Sequence, residues 1–245
     1  MKAFQIILIA LAGLTSCAKK TELAASPTST TTTTTTTMPD SNSYTYLALG
    51  DSYTIGQSVE PDESYPIQLT TDLINQGLYV HSPKIIAVTG WTTVNLIDAI
   101  AADPISHNGT KYSFVTLLIG VNDQFQGLEQ SQYQTNFVQL LHTAINFAGG
   151  DSTRVFVLSI PDYGVTPFGM GRDSVIGPQI DQFNAINKAA SLKAGVNYLD
   201  ITGISREAAT DPNLIANDGL HPSGEMYALW VQQLEPMVAA RLMKK

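Results

Sequence analysis

Five apolar runs, each followed by a polar turn and most leading into a stretch of helical periodicity, constrain this chain more than any other feature. They lie at 44–49 (YTYLAL), 84–88 (KIIAV), 114–119 (FVTLLI), 154–160 (RVFVLSI) and 196–201 (VNYLDI). Most are unbroken rather than alternating, which is how strands buried on both faces read. Tyr133, Phe137, Leu140, Leu141, Ala144, Ile145 and Ala148 recur every three or four residues, predicting a helix over about 130–148. Further helices are predicted over 63–77, 93–102, 176–194 and 223–242. Strands alternating with crossover helices require a parallel sheet covered on both sides, an α/β doubly wound fold. About 200 residues from Tyr44 onward suffice for one domain with a full core.

The segment before Tyr44 has a different character. Residues 1–17 read MKAFQIILIALAGLTSC, with Lys2 ahead of an apolar core too short for a stable span. Its end, Leu14-Thr15-Ser16-Cys17, resembles the bacterial lipobox, in which the Cys is lipidated and becomes the mature N-terminus. That resemblance implies export and lipid anchoring to the cell envelope through Cys17, with Ala18 compatible with outer-membrane delivery. An ordinary signal peptide with an incidental Cys is the other reading. Residues 18–43 are low in complexity and nearly all Thr over 28–37. With no apolar face to bury they read as a disordered tether, reaching on the order of 25–30 Å. The formal net charge of -8 argues against nucleic acid or an anionic membrane held by bulk charge. A single Cys excludes an internal disulfide.

In doubly wound sheets, ligands bind beyond the carboxyl ends of the strands. The residues following the first four runs are Gly50-Asp51-Ser52, Thr89-Gly90-Trp91, Gly120-Val121-Asn122-Asp123 and Pro161-Asp162-Tyr163-Gly164. Asp218-Gly219-Leu220-His221-Pro222 comes before the last helix. A Ser at a strand end is where a nucleophile belongs, provided a base and an orienting partner exist. His221 is a candidate base, and Asp218, three residues earlier, a candidate orienter. Taken alone, that segment reads at least as well as a turn before a helix start. The N–H groups of Ser52 and Gly90 and the Asn122 amide are candidate donors to a developing oxyanion. Each also has a plainer reading, as a turn or a cap. His81, His107 and His142 lack partner spacing, and no Cys/His cluster suggests a metal.

Together these blocks, in this order, resemble the four sequence blocks of the SGNH (GDSL-type) hydrolase superfamily. The resemblance covers about 44–242 of a domain taken as 44–245. It implies a flavodoxin-like three-layer α/β/α sandwich with a five-stranded parallel sheet, and serine ester hydrolysis without a metal or cofactor. By resemblance Ser52 is nucleophile, His221 general base and Asp218 its orienter, with Ser52, Gly90 and Asn122 forming the oxyanion hole. The implied substrates are short-chain, acylated-carbohydrate or lysophospholipid-type esters. A non-catalytic surface binding module on the same scaffold is the alternative. The run 161–177 is too rich in Gly and Pro for a regular element, yet carries Tyr163, Phe168 and Met170. With Trp91 and Phe125, these are the candidates for the substrate pocket. Packing on neighbouring helices is the other reading for the loop, and core packing for Trp91.

Overall fold

The structure, a computed structural model, describes residues 43–244. The signal-like segment, Cys17 and the Thr-rich run lie outside the described residues. The strands are β1 (Tyr46–Gly50), β2 (Lys84–Ala87), β3 (Phe114–Leu118), β4 (Val155–Leu158) and β5 (Asn197–Leu199). The helices are α1 (Ser52–Ile55), α2 (Tyr65–Asn75), α3 (Thr93–Ala102), α4 (Val121–Phe125), α5 (Gln130–Phe147), α6 (Asp173–Lys193), α7 (Thr202–Arg206) and α8 (Gly224–Leu242).

All strand pairs are parallel and the sheet order is β2-β1-β3-β4-β5. The chain therefore starts inside the sheet, moves to one edge, then crosses back over β1. The strand order reverses between β1 and β3, and a crevice opens at such a switch point. The ends of these two strands carry Ser52 and Asn122.

The apolar runs explain why β1, β3 and β4 are interior: every residue in them is buried. Leu49 sits opposite Ile86 on one side and Leu117 on the other. Burying a side chain of this kind contributes about 1.5–3 kcal/mol. One helical layer pairs α2 with α8, and in the other α5 packs against both α3 and α6. A polar thread crosses the core beneath the first strand end. Thr116 Oγ1 lies 2.8 Å from Tyr46 Oη and 3.2 Å from Tyr65 Oη. These three buried hydroxyls are thus paired with one another, as an apolar surround demands.

Most expected elements appear with ends trimmed by one to three residues. The larger correction concerns 161–177, expected to be free of regular structure. A short 3-10 turn spans Tyr163–Val165, and α6 begins at Asp173, three residues before the expected start, with Gly177 and Pro178 in its early turns. A Gly-Pro pair ordinarily signals a break. Tertiary contacts override it here. Arg206 Nη2 donates to the Gly177 carbonyl at 3.4 Å, and Asn184 on α6 bonds both the N–H and the carbonyl of Ile160.

Candidate active site

The Ser52 turn is built by its neighbours. Asp51 caps α1, its Oδ1 accepting the Tyr53 N–H at 3.1 Å. A Cβ on Gly50 would run into Thr54 Oγ1 and the Leu118 carbonyl, so only glycine lets the strand turn this tightly against β3. Asp51 is fully buried, and its Oδ2 has no hydrogen-bond partner in the protein. Burial pushes its carboxyl up to about 8; the Tyr53 N–H opposes this and nearby Asp123 adds to it. The Asp51 carboxyl, directly beside Ser52, is thus shifted toward its neutral form.

The segment between β3 and α4 is held from two sides. Asn122 Nδ2 donates to the Trp91 carbonyl at 2.9 Å, tying α4 to the turn after β2. Asp123 accepts the Thr93 N–H at 2.9 Å and the Thr93 hydroxyl at 2.5 Å, locking the start of α3 to α4. Burial raises the Asp123 carboxyl, with the Thr93 bonds opposing. Asp123 thus fixes loops, as a structural residue does. Because an amide nitrogen carries two protons, Asn122 keeps one N–H beyond its bond to Trp91.

On the loop before α8, His221 Nδ1 lies 2.6 Å from Asp218 Oδ2. Asp218 Oδ1 accepts the backbone N–H groups of Leu220 at 2.9 Å and His221 at 3.0 Å. Ser58 Oγ donates to Asp218 Oδ2 at 2.7 Å. Partial burial raises the Asp218 carboxyl, but the bonds from His221, Ser58 and the two backbone N–H groups outweigh it. They hold it well below the usual carboxylate range. An anion fixed against Nδ1 leaves Nε2 as the nitrogen free to take a proton.

Ser52 and His221 line one cavity of about 100 Å³, together with Tyr53, Val121, Asn122, Phe125, Tyr163, Phe168 and Leu220. The rings of Phe125, Tyr163 and Phe168 form a triangle with centroids 6.0–6.2 Å apart. Tyr163 is buried, while Phe125 and Phe168 are 51% and 47% exposed. The arrangement thus brings together, from the expected set, Ser52, Asn122, His221, Phe125, Tyr163 and Phe168, with Asp218 behind His221.

Three expected residues do not line this cavity. Gly90, at φ +83° in open space, lies on the exposed turn that Asn122 grips through Trp91. Trp91 does not line the cavity: its ring packs partly buried against the core, and its carbonyl makes the contact with Asn122. Met170, 80% exposed, lines a neighbouring groove of about 850 Å³ rather than the Ser52 cavity. The bond from Phe168 N–H to the Gly219 carbonyl, at 3.0 Å, joins the two walls between these spaces. The reading of the sequence missed Tyr53, Val121, Leu220 and Ser58. The first three adjoin named residues and were findable by adjacency; Ser58 gave no signal. Among the described residues, no group of three or more His, Cys, Asp or Glu side chains is placed to hold a metal.

A doubly wound α/β/α sandwich that presents a Ser, a His–Asp pair and an amide at the switch point of its sheet defines a class of protein, the SGNH-type hydrolases. This chain belongs to the GDSL-like Lipase/Acylhydrolase family, whose profile matches residues 48–229. No curated protein matches its sequence. Among solved structures it is similar to the lipase/acylhydrolase from Enterococcus faecalis, at 18% identity and a TM-score of 0.63 over 82% of this chain and 98% of that one. It is also similar to the psychrotrophic esterase EstA from Pseudoalteromonas sp., at 16% identity and a TM-score of 0.61 over 82% and 98%. The acetylxylan esterase Axe2 from Geobacillus stearothermophilus matches at 16% identity and a TM-score of 0.60 over 82% and 95%. These likenesses concern the fold.

Proposed function

We propose that the protein is a serine ester hydrolase that works through an acyl-enzyme and prefers short acyl groups. The observation that carries this is Ser52 and His221 in one cavity, with Asp218 2.6 Å behind the imidazole. Ser52 Oγ attacks the ester carbonyl while His221 Nε2 takes its proton. The tetrahedral oxyanion is met by the Ser52 and Gly90 N–H groups and the Asn122 amide. The intermediate collapses, the alcohol leaves with the proton from His221, and water repeats the sequence to release the acid. Asp218 stays ionised throughout and stabilises the imidazolium.

Cavity size speaks for the short acyl group. An apolar cavity of about 150 Å³ takes a benzene, so the space of about 100 Å³ beside Ser52 suits roughly four carbons. Acetylated or butyrylated alcohols, acylated carbohydrates included, therefore fit better than lysophospholipids. We further propose, from Leu14-Thr15-Ser16-Cys17 and the Thr-rich run after it, that the domain is tethered to the cell envelope by lipid on Cys17. Its partners are then a membrane, through that anchor, and a small or glycan-bound ester.

The decisive test is hydrolysis of 4-nitrophenyl esters from acetate to dodecanoate, with fluorophosphonate labelling of wild type and Ser52→Ala. Labelling confined to wild type, and efficiency falling about tenfold or more per methylene past butyrate, is the expected result. Equal turnover by Ser52→Ala would overturn the mechanism. A flat profile would overturn the acyl preference alone. For the anchor, membrane association of the native precursor should be lost in Cys17→Ser. Equal association of both, with no acyl mass on wild type, would refute it.

A further inference from the structure

Six residues after Ser52 the backbone adopts a conformation that side chains disfavour. Ser58 has φ 69° and is the only non-glycine residue with positive φ among the described residues. For a residue with a Cβ this left-handed state is strained, and such strain persists where surrounding contacts impose it. Gly56, two residues earlier, is also left-handed, at φ 75°, and the Gln57 N–H returns to the Ser52 carbonyl at 3.0 Å. Two successive left-handed turns thus follow the Ser52 helix.

The side chains carried by this turn each reach another strand-end loop. Gln57 Oε1 accepts from Thr89 Oγ1 at 2.6 Å, one residue before Gly90. Ser58 Oγ donates to Asp218 Oδ2 at 2.7 Å, the oxygen that also faces His221 Nδ1. Ser58 is exposed, so its bond adds little to folding. The strain at Ser58 is not offset by burial of its own side chain, which is exposed. What the bond does is geometric. Two backbone N–H groups hold Asp218 Oδ1, and Ser58 holds Oδ2, so the plane of the carboxylate is set at both ends.

We propose that Gln57 and Ser58 are positioning residues, forming a clasp that sets the Ser52 turn, the Gly90 loop and the Asp218 carboxylate at fixed spacing. The inference rests on the roles proposed above for Ser52, Gly90 and Asp218. Its strained member makes it separable from a structural role. Glycine at 58 adopts the left-handed state without strain but lacks the hydroxyl, whereas Asn tolerates that state and brings an amide donor.

The experiment compares kcat, KM and melting temperature on 4-nitrophenyl acetate for wild type, Ser58→Gly, Ser58→Asn, Gln57→Ala, Thr89→Val and the last two combined. Ser58→Gly should lose about tenfold in kcat with KM within about twofold, while melting at or above the wild-type temperature. Ser58→Asn should regain part of the loss. Gln57→Ala and Thr89→Val should each lower kcat by a few-fold and show no further loss in combination, since they share one bond. Wild-type kcat in Ser58→Gly would overturn the clasp, as would loss of kcat only in step with melting temperature. If wild type hydrolysed no ester and Ser52 took no fluorophosphonate, the reading of the site itself would fall, and the clasp with it.

Discussion

Replacing Asp218 by Asn tests the proposed mechanism at its most quantifiable point. Asp218 accepts four hydrogen bonds, two on each oxygen. An amide has one acceptor oxygen. Retaining the Leu220 and His221 N–H bonds, it must turn its NH₂ toward His221 Nδ1, donor against donor. The imidazole loses both its orientation and the anion that stabilises its charged form. Two unit charges 4 Å apart interact by about 1 kcal/mol in bulk water and about 4 kcal/mol at an effective dielectric of 20. The side chains are 9% exposed for His221 and 31% for Asp218, so the pair lies between these limits. That range corresponds to losses of about five- to a thousand-fold, and the donor clash favours the upper end. kcat and kcat/KM on 4-nitrophenyl acetate measure it, with a melting curve as control. Asp218 is also held below its ordinary pKa, so its contribution to stability is present above the usual carboxylate range and lost as pH falls through its folded pKa. Asp218→Asn should therefore be less stable than wild type at pH 7, and the difference should begin to shrink only below about pH 4. Turnover within about fivefold of wild type, in a variant that melts normally, would refute the pairing of Asp218 with a catalytic His221.

Three further outcomes follow from the same geometry. Asp51 has a raised folded pKa, so wild-type stability should fall as pH rises from the ordinary carboxylate range toward about 8; melting curves of Asp51→Asn should flatten that slope, and parallel curves would show that Asp51 does not titrate as argued. Gly120 sits at φ +126° with Tyr133 where a Cβ would go, whereas Gly90 at φ +83° has open space. Gly120→Ala should thus cost several kcal/mol in denaturant unfolding and Gly90→Ala about 1–2 kcal/mol of backbone strain; equal costs would contradict the packing. Asn122→Ala should lower kcat by about 10²–10³ if its free N–H meets the oxyanion, a loss that steady-state kinetics read directly.

Much of this was legible because the fold and the chemistry leave local marks. Unbroken runs such as FVTLLI, bounded by turn residues, read as interior strands, and the Gly-rich blocks stand at their ends. Ser52, Asn122 and His221 were readable for that reason: each sits where a parallel sheet gathers its loops. Other positions depend on contacts that no local pattern encodes. Helix α6 begins at Asp173, three residues before the expected start at 176, within a run whose Gly and Pro read as irregular; Arg206, from α7, bonds the Gly177 carbonyl there. Met170 looked like a pocket residue because it is apolar on a loop, but the turn at Gly169–Gly171 leaves it in the adjoining groove. Ser58 meets Asp218 across 160 residues, a proximity set only by the completed fold.

The loop that carries Phe168 is rooted in its own turns, in α7 and, through Tyr163, in the core. Asp162 binds the Gly164 N–H and Arg206, Thr166 bonds back to the Tyr163 carbonyl, and one backbone bond, Phe168 to Gly219, reaches the segment bearing His221. Only the exposed stretch around Phe168 and Met170 stands clear of the frame that carries the reacting groups, because Tyr163 and Thr166 before it are buried. A lineage can lengthen, shorten or exchange the wall between Pro167 and Gly171 without rebuilding the frame. A directed-evolution library confined to those positions should be rich in folded proteins of altered chain-length preference. One scaffold can in this way pass from ester to ester over generations while its chemistry stays still.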